Sequence, residues 1–372
     1  MNLADMLCFA DIHQLNRIAQ KYELSCSSNS KNELIQSILS KVYRKDVVKQ
    51  VVSNLPLEDL RFINSVLFDR KNKFSLEELT ARVKETWFQQ EEQQRNPRDI
   101  ISEYRQRGWL FNGISNDSKY LFQFPEDLKQ RIGAIMREQL SQELAVTGVP
   151  EIYKDEQELL KDDILLFLDY LSRYDVPLTT AGFMYKRQLQ QLLKAMAIEE
   201  SMDEKQAWRF GYGRRYKEYP DRFSYIYDYC YFNGYIEETN DQLVLTNSGE
   251  TLLAEKSGID PMDLYRFWIR LYKGPVPNIQ AMVHWIDQLA SDWVTVHSIT
   301  AALHRFVKPF YYDSPEDVLQ KRLMKMMLHL GLISMGEHRE YGQVIRTTEI
   351  GRKIIRGTYV KEDDYIEISE TF

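Results

Sequence analysis

The stretch Asn233–Glu255 reads NGYIEETNDQLVLTNSGETLLAE, and its pattern returns at Leu330–Ile355 as LGLISMGEHREYGQVIRTTEIGRKII. A fainter copy, RGWLFNGISNDSKYLFQFPEDLKQRI, stands at Arg107–Ile132. In the two clear copies Gly234 and Gly331 stop a helix, because a left-handed residue after the last turn costs glycine little. YIEE and LIS then run out as strands, a polar turn follows, and LVL and QVIRT return. Thr246 and Thr348 next cap a further helix, with Gly249 and Gly351 three residues on. An element that closes each of three stretches predicts three related units.

Working outward, the residues before each copy read as helices. Around the first copy, helices at Leu57–Phe68, Ser75–Trp87 and from Asn96 precede two strands, GWLFNGIS and KYLFQF. Ser75 with Glu78 forms a capping box, and Asn96 with Pro97 marks a helix start. Three helices followed by a β-hairpin is the winged-helix order. The second unit opens with DDILLFLDYLSRY and reaches its hairpin through RFSYIYDYCYF. In the third, Ser314 caps and Pro315 opens one helix, PEDVLQKRLMKMMLHL. The stretch Val146–Asp163, polar, acidic and broken by Gly148 and Pro150, is the expected joint.

Ahead of these, Asp11 caps a short helix carrying Ile12, Leu15, Ile18 and Ala19. Ser30 and Glu33 form a second capping box before Leu34, Ile35, Ile38, Leu39 and Val42. This helix, extended stretch and helix resembles the SAP and Rho N-terminal type of nucleic-acid-binding module; a plain helical hairpin packed on its neighbour fits the same residues. The expected fold class is mainly α with small β-hairpins: a helical module at 1–50, winged-helix units at 55–145, 159–255 and 259–360, and an acidic tail at 361–372.

Composition narrows the function. At 372 residues, 44% hydrophobic and 28% charged, the chain is globular and long enough for two or three cores. The start, MNLADMLCFADIH, lacks the basic leader of a signal peptide, and no apolar run is long enough to span a bilayer. Cys8, Cys26 and Cys230 are odd in number and scattered, which suits a reducing cytoplasm. The net charge of −7 opposes a general attraction to phosphate. Lys205–Arg222, however, carries six basic residues against Glu218 and Asp221.

Pro177-Leu-Thr-Thr-Ala-Gly-Phe-Met-Tyr-Lys-Arg187, together with the T-x-x-G helix starts at Thr246 and Thr348, resembles the N-terminal domain associated with XPB/Ssl2-type helicases. That domain also occurs in bacterial proteins without a motor. The resemblance runs over Leu159–Ile355 and implies a nucleic-acid-processing context, with a helicase or another DNA-processing protein as partner. A motor needs a G-x-x-x-x-G-K-[ST] loop to cradle phosphate. The chain has none, so no ATP hydrolysis and no enzymatic activity are expected.

The candidate contacts are cations on the helices that a winged helix offers to DNA. They are Arg98, Arg105 and Arg107 in the first unit, Lys186 and Arg187 in the second, and Lys321, Arg322 and Lys325 in the third. Arg209, Arg214, Arg215 and Lys217 alternate with Trp208, Tyr212 and Tyr216, a pattern suited to stacking on unpaired bases of single-stranded DNA as well as to phosphate contact. The same loop could instead pack its aromatics down and turn its arginines to solvent. Gly211 and Gly213 lack the third glycine of a dinucleotide fingerprint, and His297 and His304 lack partners at metal-ligand spacing. No cofactor or metal is expected. The leading expectation is a non-enzymatic DNA-binding or helicase-accessory protein, on single-stranded or duplex DNA. The rival is an adaptor whose winged helices hold proteins, which 23 tyrosines and an acidic charge would suit.

Overall fold

Asn2, Asp11, Ser30, Ser75 and Asn96 cap helix starts in the first of two units, Met1–Gln142 and Glu143–Phe372, into which the computed structural model divides. The structure describes residues 1–88, 95–202, 213–215, 217–255, 258–361 and 363–368. In the first unit the helices are α1 (Leu3–Phe9), α2 (Ile12–Lys21), α3 (Lys31–Val42), α4 (Lys45–Ser53), α5 (Leu57–Leu67), α6 (Leu76–Glu85) and α7 (Pro97–Gln106). A hairpin of β1 (Phe111–Asn112) and β2 (Phe122–Gln123) follows, then α8 (Glu126–Ser141). Asp11 accepts the Gln14 N–H at 2.7 Å, and Ser75 and Glu78 close the expected box. The box expected at Ser30 closes only halfway, because the Glu33 carboxylate accepts from the Ser27 N–H instead.

Leu3, Leu7, Leu15, Ile18, Leu34, Ile38 and Val42 bury their side chains in one cluster that also contains Phe111 of β1. Each such aliphatic contributes roughly 1.5–3 kcal/mol on leaving water. The stretch 1–50 therefore packs on the hairpin of 55–145. Between α5 and α6, Phe74 exchanges backbone hydrogen bonds with Phe122 at 2.9 and 2.7 Å, so one residue acts as a first strand beside β2.

The second unit writes that order twice more. β3 (Ile152–Lys154) leads into α9 (Leu159–Arg173), β4 (Val176–Pro177), α10 (Lys186–Ala195), α11 (Asp221–Phe232), β5 (Ile236–Glu238) and β6 (Gln242–Leu245). After α12 (Asn247–Glu255) and α13 (Pro261–Tyr272) come α14 (Ile279–Leu289), β7 (Val294–Thr295) and α15 (Val296–Leu303). The chain then makes a 3-10 turn at His304–Phe306, a helical turn α16 (Pro315–Asp317), a π-helical segment Val318–Met324 and α17 (Lys325–His329). It ends with β8 (Ile333–His338), β9 (Gly342–Thr347) and α18 (Glu349–Gly357). Helix, strand, helix, helix, strand, strand, with the first strand beside the last, describes α5 to β2, α9 to β6 and α14 to β9. We call these the first, second and third repeats.

The quoted pattern now has a physical meaning. Gly234 and Gly331 adopt φ of 69° and 66° after the third helix. Thr246 Oγ1 accepts the Gly249 N–H at 3.1 Å and donates to the Gly234 carbonyl at 2.6 Å. Thr348 does the same with Gly351 and Gly331, both at 2.8 Å. A Cβ on Gly249 or Gly351 would run into the carbonyl oxygen of Tyr235 or Leu332. One threonine thus caps a new helix while tying it to the end of the previous one. The first repeat keeps Gly108 at φ 69° but has Pro125 where the threonine would stand, which is why its copy is faint.

Two expectations are corrected. The stretch expected as a joint is a strap on the third repeat: Thr295 donates to the Ala145 carbonyl, Thr147 donates to Trp293, and β3 pairs with β8. The sheet order β3-β8-β9-β7 places this strap along both edges, and Pro150 lies over Gly336, where a Cβ would collide with it. Tyr153 meets Trp293 at 5.5 Å between ring centroids. The helix expected over 315–330 widens into the π segment, and the extra backbone in each turn swings Arg322 inward with Leu319 and Leu323. Among the described residues no helix is long and apolar enough to cross a membrane.

Candidate nucleic-acid interface

In the first repeat, α7 buries Ile100, Ile101 and Tyr104, and the Tyr104 hydroxyl donates to the Asp59 carbonyl at 3.1 Å. The apolar residues fix one face of the helix against Phe62, Trp109 and Phe124. The opposite face then carries Arg98, Ser102, Arg105 and Gln106 as a single stripe. Arg98 and Ser102 are exposed, and Arg105 and Gln106 are half-buried. Asn112 on β1 accepts from Arg105 Nη2 at 3.1 Å, and the guanidinium lies 5.8 Å over the Phe122 ring. Burial, then the charge of Arg17 on α2, lowers the Arg105 pKa.

Arg107 does not share this stripe. It pairs with Glu103 and leans over Trp109, while Glu103 also holds Arg95 at 2.6 Å and Lys21 at 3.7 Å. At the hairpin, Lys119 and Tyr120 are exposed, with the ammonium 5.1 Å over the ring. The unit carries 21 lysines and arginines against 19 aspartates and glutamates, and the second unit 27 against 36. The acidic net charge thus belongs to the second unit.

The cations expected in the second unit are mostly held inside it. Arg214 and Arg215 grip Glu238 at 3.0 and 2.7 Å, and the Tyr227 hydroxyl donates to the same carboxylate at 2.7 Å. Burial works to raise the Glu238 pKa, but these hydrogen bonds outweigh it and hold the carboxyl below its usual range. Arg322 pairs with buried Asp313 at 2.9 Å, Lys325 with Asp221 at 2.8 Å, and Lys321 with Asp317 at 2.7 Å. Nine of the twelve residues of α11 are buried, so this third helix is a core element. Lys186 and Arg187 stand exposed in the first turn of α10, whose start has no side-chain cap. Lys217 is exposed, and Trp208, Arg209, Tyr212 and Tyr216 lie outside the described residues.

The Pro177–Arg187 motif builds the turn between β4 and α10. Gly182, at φ 77°, donates to the Thr179 carbonyl, the Phe183 backbone N–H donates to Thr179 Oγ1 at 3.1 Å, and Leu178 bridges Met184. Arg215 lies over Phe183 at 4.8 Å, a packing contact that the alternating sequence pattern did not reveal. Gly213 needs to be glycine because a Cβ there would meet the Asp228 carboxylate. Among the described residues, no three His, Cys, Asp or Glu side chains gather as a metal site would require. Sequence reading missed Glu238, which holds Arg214, Arg215 and the Tyr227 hydroxyl: an acidic residue in a short strand carries no mark of the arginines folded against it.

No protein-family model matches the chain, and neither a curated protein nor a solved structure matches it.

Proposed function

We propose that the chain is a non-enzymatic DNA-binding protein of tandem winged-helix units, acting as an accessory in DNA transactions through its first repeat. The repeated order of helices and strands supports the winged-helix reading. The observation that carries the function is the stripe Arg98, Ser102, Arg105 and Gln106 on α7, the third helix of the first repeat. These residue types donate to phosphates and base edges, and this is the element a winged helix lays in the major groove. Support from the cations of the second unit is weaker, since Arg214, Arg215, Arg322 and Lys325 hold internal carboxylates. The resemblance of 177–187 to the XPB/Ssl2-associated domain gives the role a setting beside a helicase or other DNA-processing enzyme.

Fluorescence anisotropy on duplex and single-stranded DNA tests this. With about four phosphates engaged, raising salt from 50 to 200 mM should weaken binding by roughly a hundredfold. The double variant Arg98→Gln/Arg105→Gln should flatten that dependence, whereas Lys321→Gln should leave it intact. Absence of salt-sensitive binding at micromolar protein would overturn the reading.

One observation favours a second reading, an adaptor: the second unit is acidic and displays Tyr174, Tyr311, Tyr312 and Tyr341. Tyrosines of this kind anchor protein interfaces. Partner binding that survives Arg98→Gln/Arg105→Gln in a chain that never binds DNA would favour it.

A further inference from the structure

We infer that the outer edge of β5 in the second repeat docks an extended peptide, one with a cation and an apolar residue in succession, which joins the sheet as a further strand. The site lies on the second unit and does not depend on the DNA-binding reading.

The chain itself shows what fills this place. In the third repeat the strap lies along β8, with Tyr153 opposite Gly336 and Lys154 opposite Met335. Further on, Asp155 accepts from the Ser334 hydroxyl at 3.3 Å and Glu156 meets His329 at 2.9 Å. The Gln157 backbone then stands where a Gly331 Cβ would go. In the first repeat Ile18 of α2 backs the matching Gly108 at 3.4 Å. Among the described residues nothing comes within 4 Å of a Cβ built on Gly234, and β5 ends the sheet order β4-β6-β5.

The backbone of this edge is bare as well. Tyr235 accepts from the Thr246 N–H at 3.1 Å and Thr239 donates to the Gln242 carbonyl at 2.8 Å, so both face β6. Alternation turns the N–H and C=O groups of Ile236 and Glu238 the other way, where they have no hydrogen bond among the described residues. Such an unpaired row is a template for another strand.

The side chains choose the occupant. Counted from Gly234 and Gly331, Glu237 stands where Ser334 does, and Phe232 where His329 does. Glu237 is exposed, and Phe232 is 38% exposed. An incoming residue in the place of Asp155 therefore meets a carboxylate, and one in the place of Glu156 meets an aromatic ring. Lysine or arginine followed by an apolar residue suits them. A strand like the strap itself, with Asp155 and Glu156, is repelled. A second copy also fits badly, because pairing β5 with itself about Glu237 sets two carboxylates directly opposite.

Fluorescence anisotropy on the full chain tests this with a labelled peptide of Glu151–Gln157 carrying Asp155→Lys and Glu156→Leu, and with the unaltered peptide as control. The altered peptide should bind in the micromolar range and protect the Ile236 and Glu238 amides from hydrogen exchange, whereas the unaltered one should not bind. N-methylation of the altered peptide at positions 154 and 156, which would face Glu238 and Ile236, should weaken it about tenfold. Glu237→Lys, at an exposed position that leaves the fold alone, should weaken it by about fivefold or more. No binding at millimolar peptide, or equal binding of the unaltered or methylated peptide, would overturn the site. Protection of the same two amides that grows with protein concentration and needs no peptide would overturn the peptide and give the edge to a second copy.

Discussion

Lys325 Nζ lies 2.8 Å from the Asp221 carboxylate, so the third helix of the third repeat is tied to the first turn of the third helix of the second. A cation that sequence alone would aim at DNA thus joins two repeats within one unit. Both groups are partly exposed, and the pair is worth about 1 kcal/mol. Lys325→Glu sets two carboxylates face to face, and we expect the thermal midpoint to fall by roughly 2–6 °C with DNA affinity unchanged. Asp221→Lys in the same chain should recover part of the loss. Calorimetry and anisotropy on one preparation check both; lost DNA affinity at unchanged stability would return Lys325 to the interface.

Arg222 should matter far more. Its guanidinium is fully buried against Asp163, with Glu156 at 3.4 Å, and Glu156 also meets buried His329 at 2.9 Å. Glu200 accepts the Arg222 and Phe223 N–H groups at 3.0 and 2.8 Å, supplying the cap that Pro220 cannot. Arg222→Met leaves buried Asp163 without its cation and Glu156 with His329 alone, and we expect a loss of about 3–5 kcal/mol in urea unfolding. A variant within about 1 kcal/mol of the parent chain would show that water replaces the arginine.

The threonine and glycine locks predict a graded series. Thr348→Val removes the acceptor for the Gly351 N–H and should cost about 1 kcal/mol. Gly351→Ala drives a methyl into the Leu332 carbonyl, and we expect about 1–3 kcal/mol from the forced backbone shift. Gly249→Ala should act alike on the second repeat. Urea unfolding of the three variants reads the order, and an alanine at 351 without effect would mean that α18 can slide.

These locks explain what the sequence made legible. Gly234, Gly331, Thr246 and Thr348 act within one short stretch, so their spacing displays their purpose; the caps at Asp11 and Ser75 are local in the same way. What escaped depends on partners far along the chain. Phe74, β4 and β7 are strands of one or two residues, too short to show alternation. The strap at 145–154 reads as a joint because Gly148 and Pro150 interrupt it; its side chains are largely exposed while its backbone makes the pairings. Arg214 and Arg215 look like DNA contacts until Glu238 is seen between them. At the α7 stripe the expected spacing of Arg98 and Arg105 does place both on one side of the helix.

Asp228 gives a prediction with a pH window. It is buried on α11, its Oδ2 accepts the Arg214 N–H at 2.9 Å, and its Oδ1 has no hydrogen-bond partner. Burial, opposed by Arg214 and Arg215, pushes its pKa up to about 7 from an ordinary 3.8. Between these values the folded chain holds a proton that the unfolded chain has released. Stability from this group is therefore full below about pH 4, declines as pH rises, and is gone above about pH 7, a change on the order of 4 kcal/mol. Asp228→Asn keeps an acceptor for the Arg214 N–H and cannot ionise. The variant should match the parent chain near pH 4 and exceed it at pH 8, and urea unfolding across that range should show the difference opening between. Equal stabilities at pH 8 would mean that the ionised carboxylate is solvated, and the charge of Arg214 and Arg215 would then be enough to hold it.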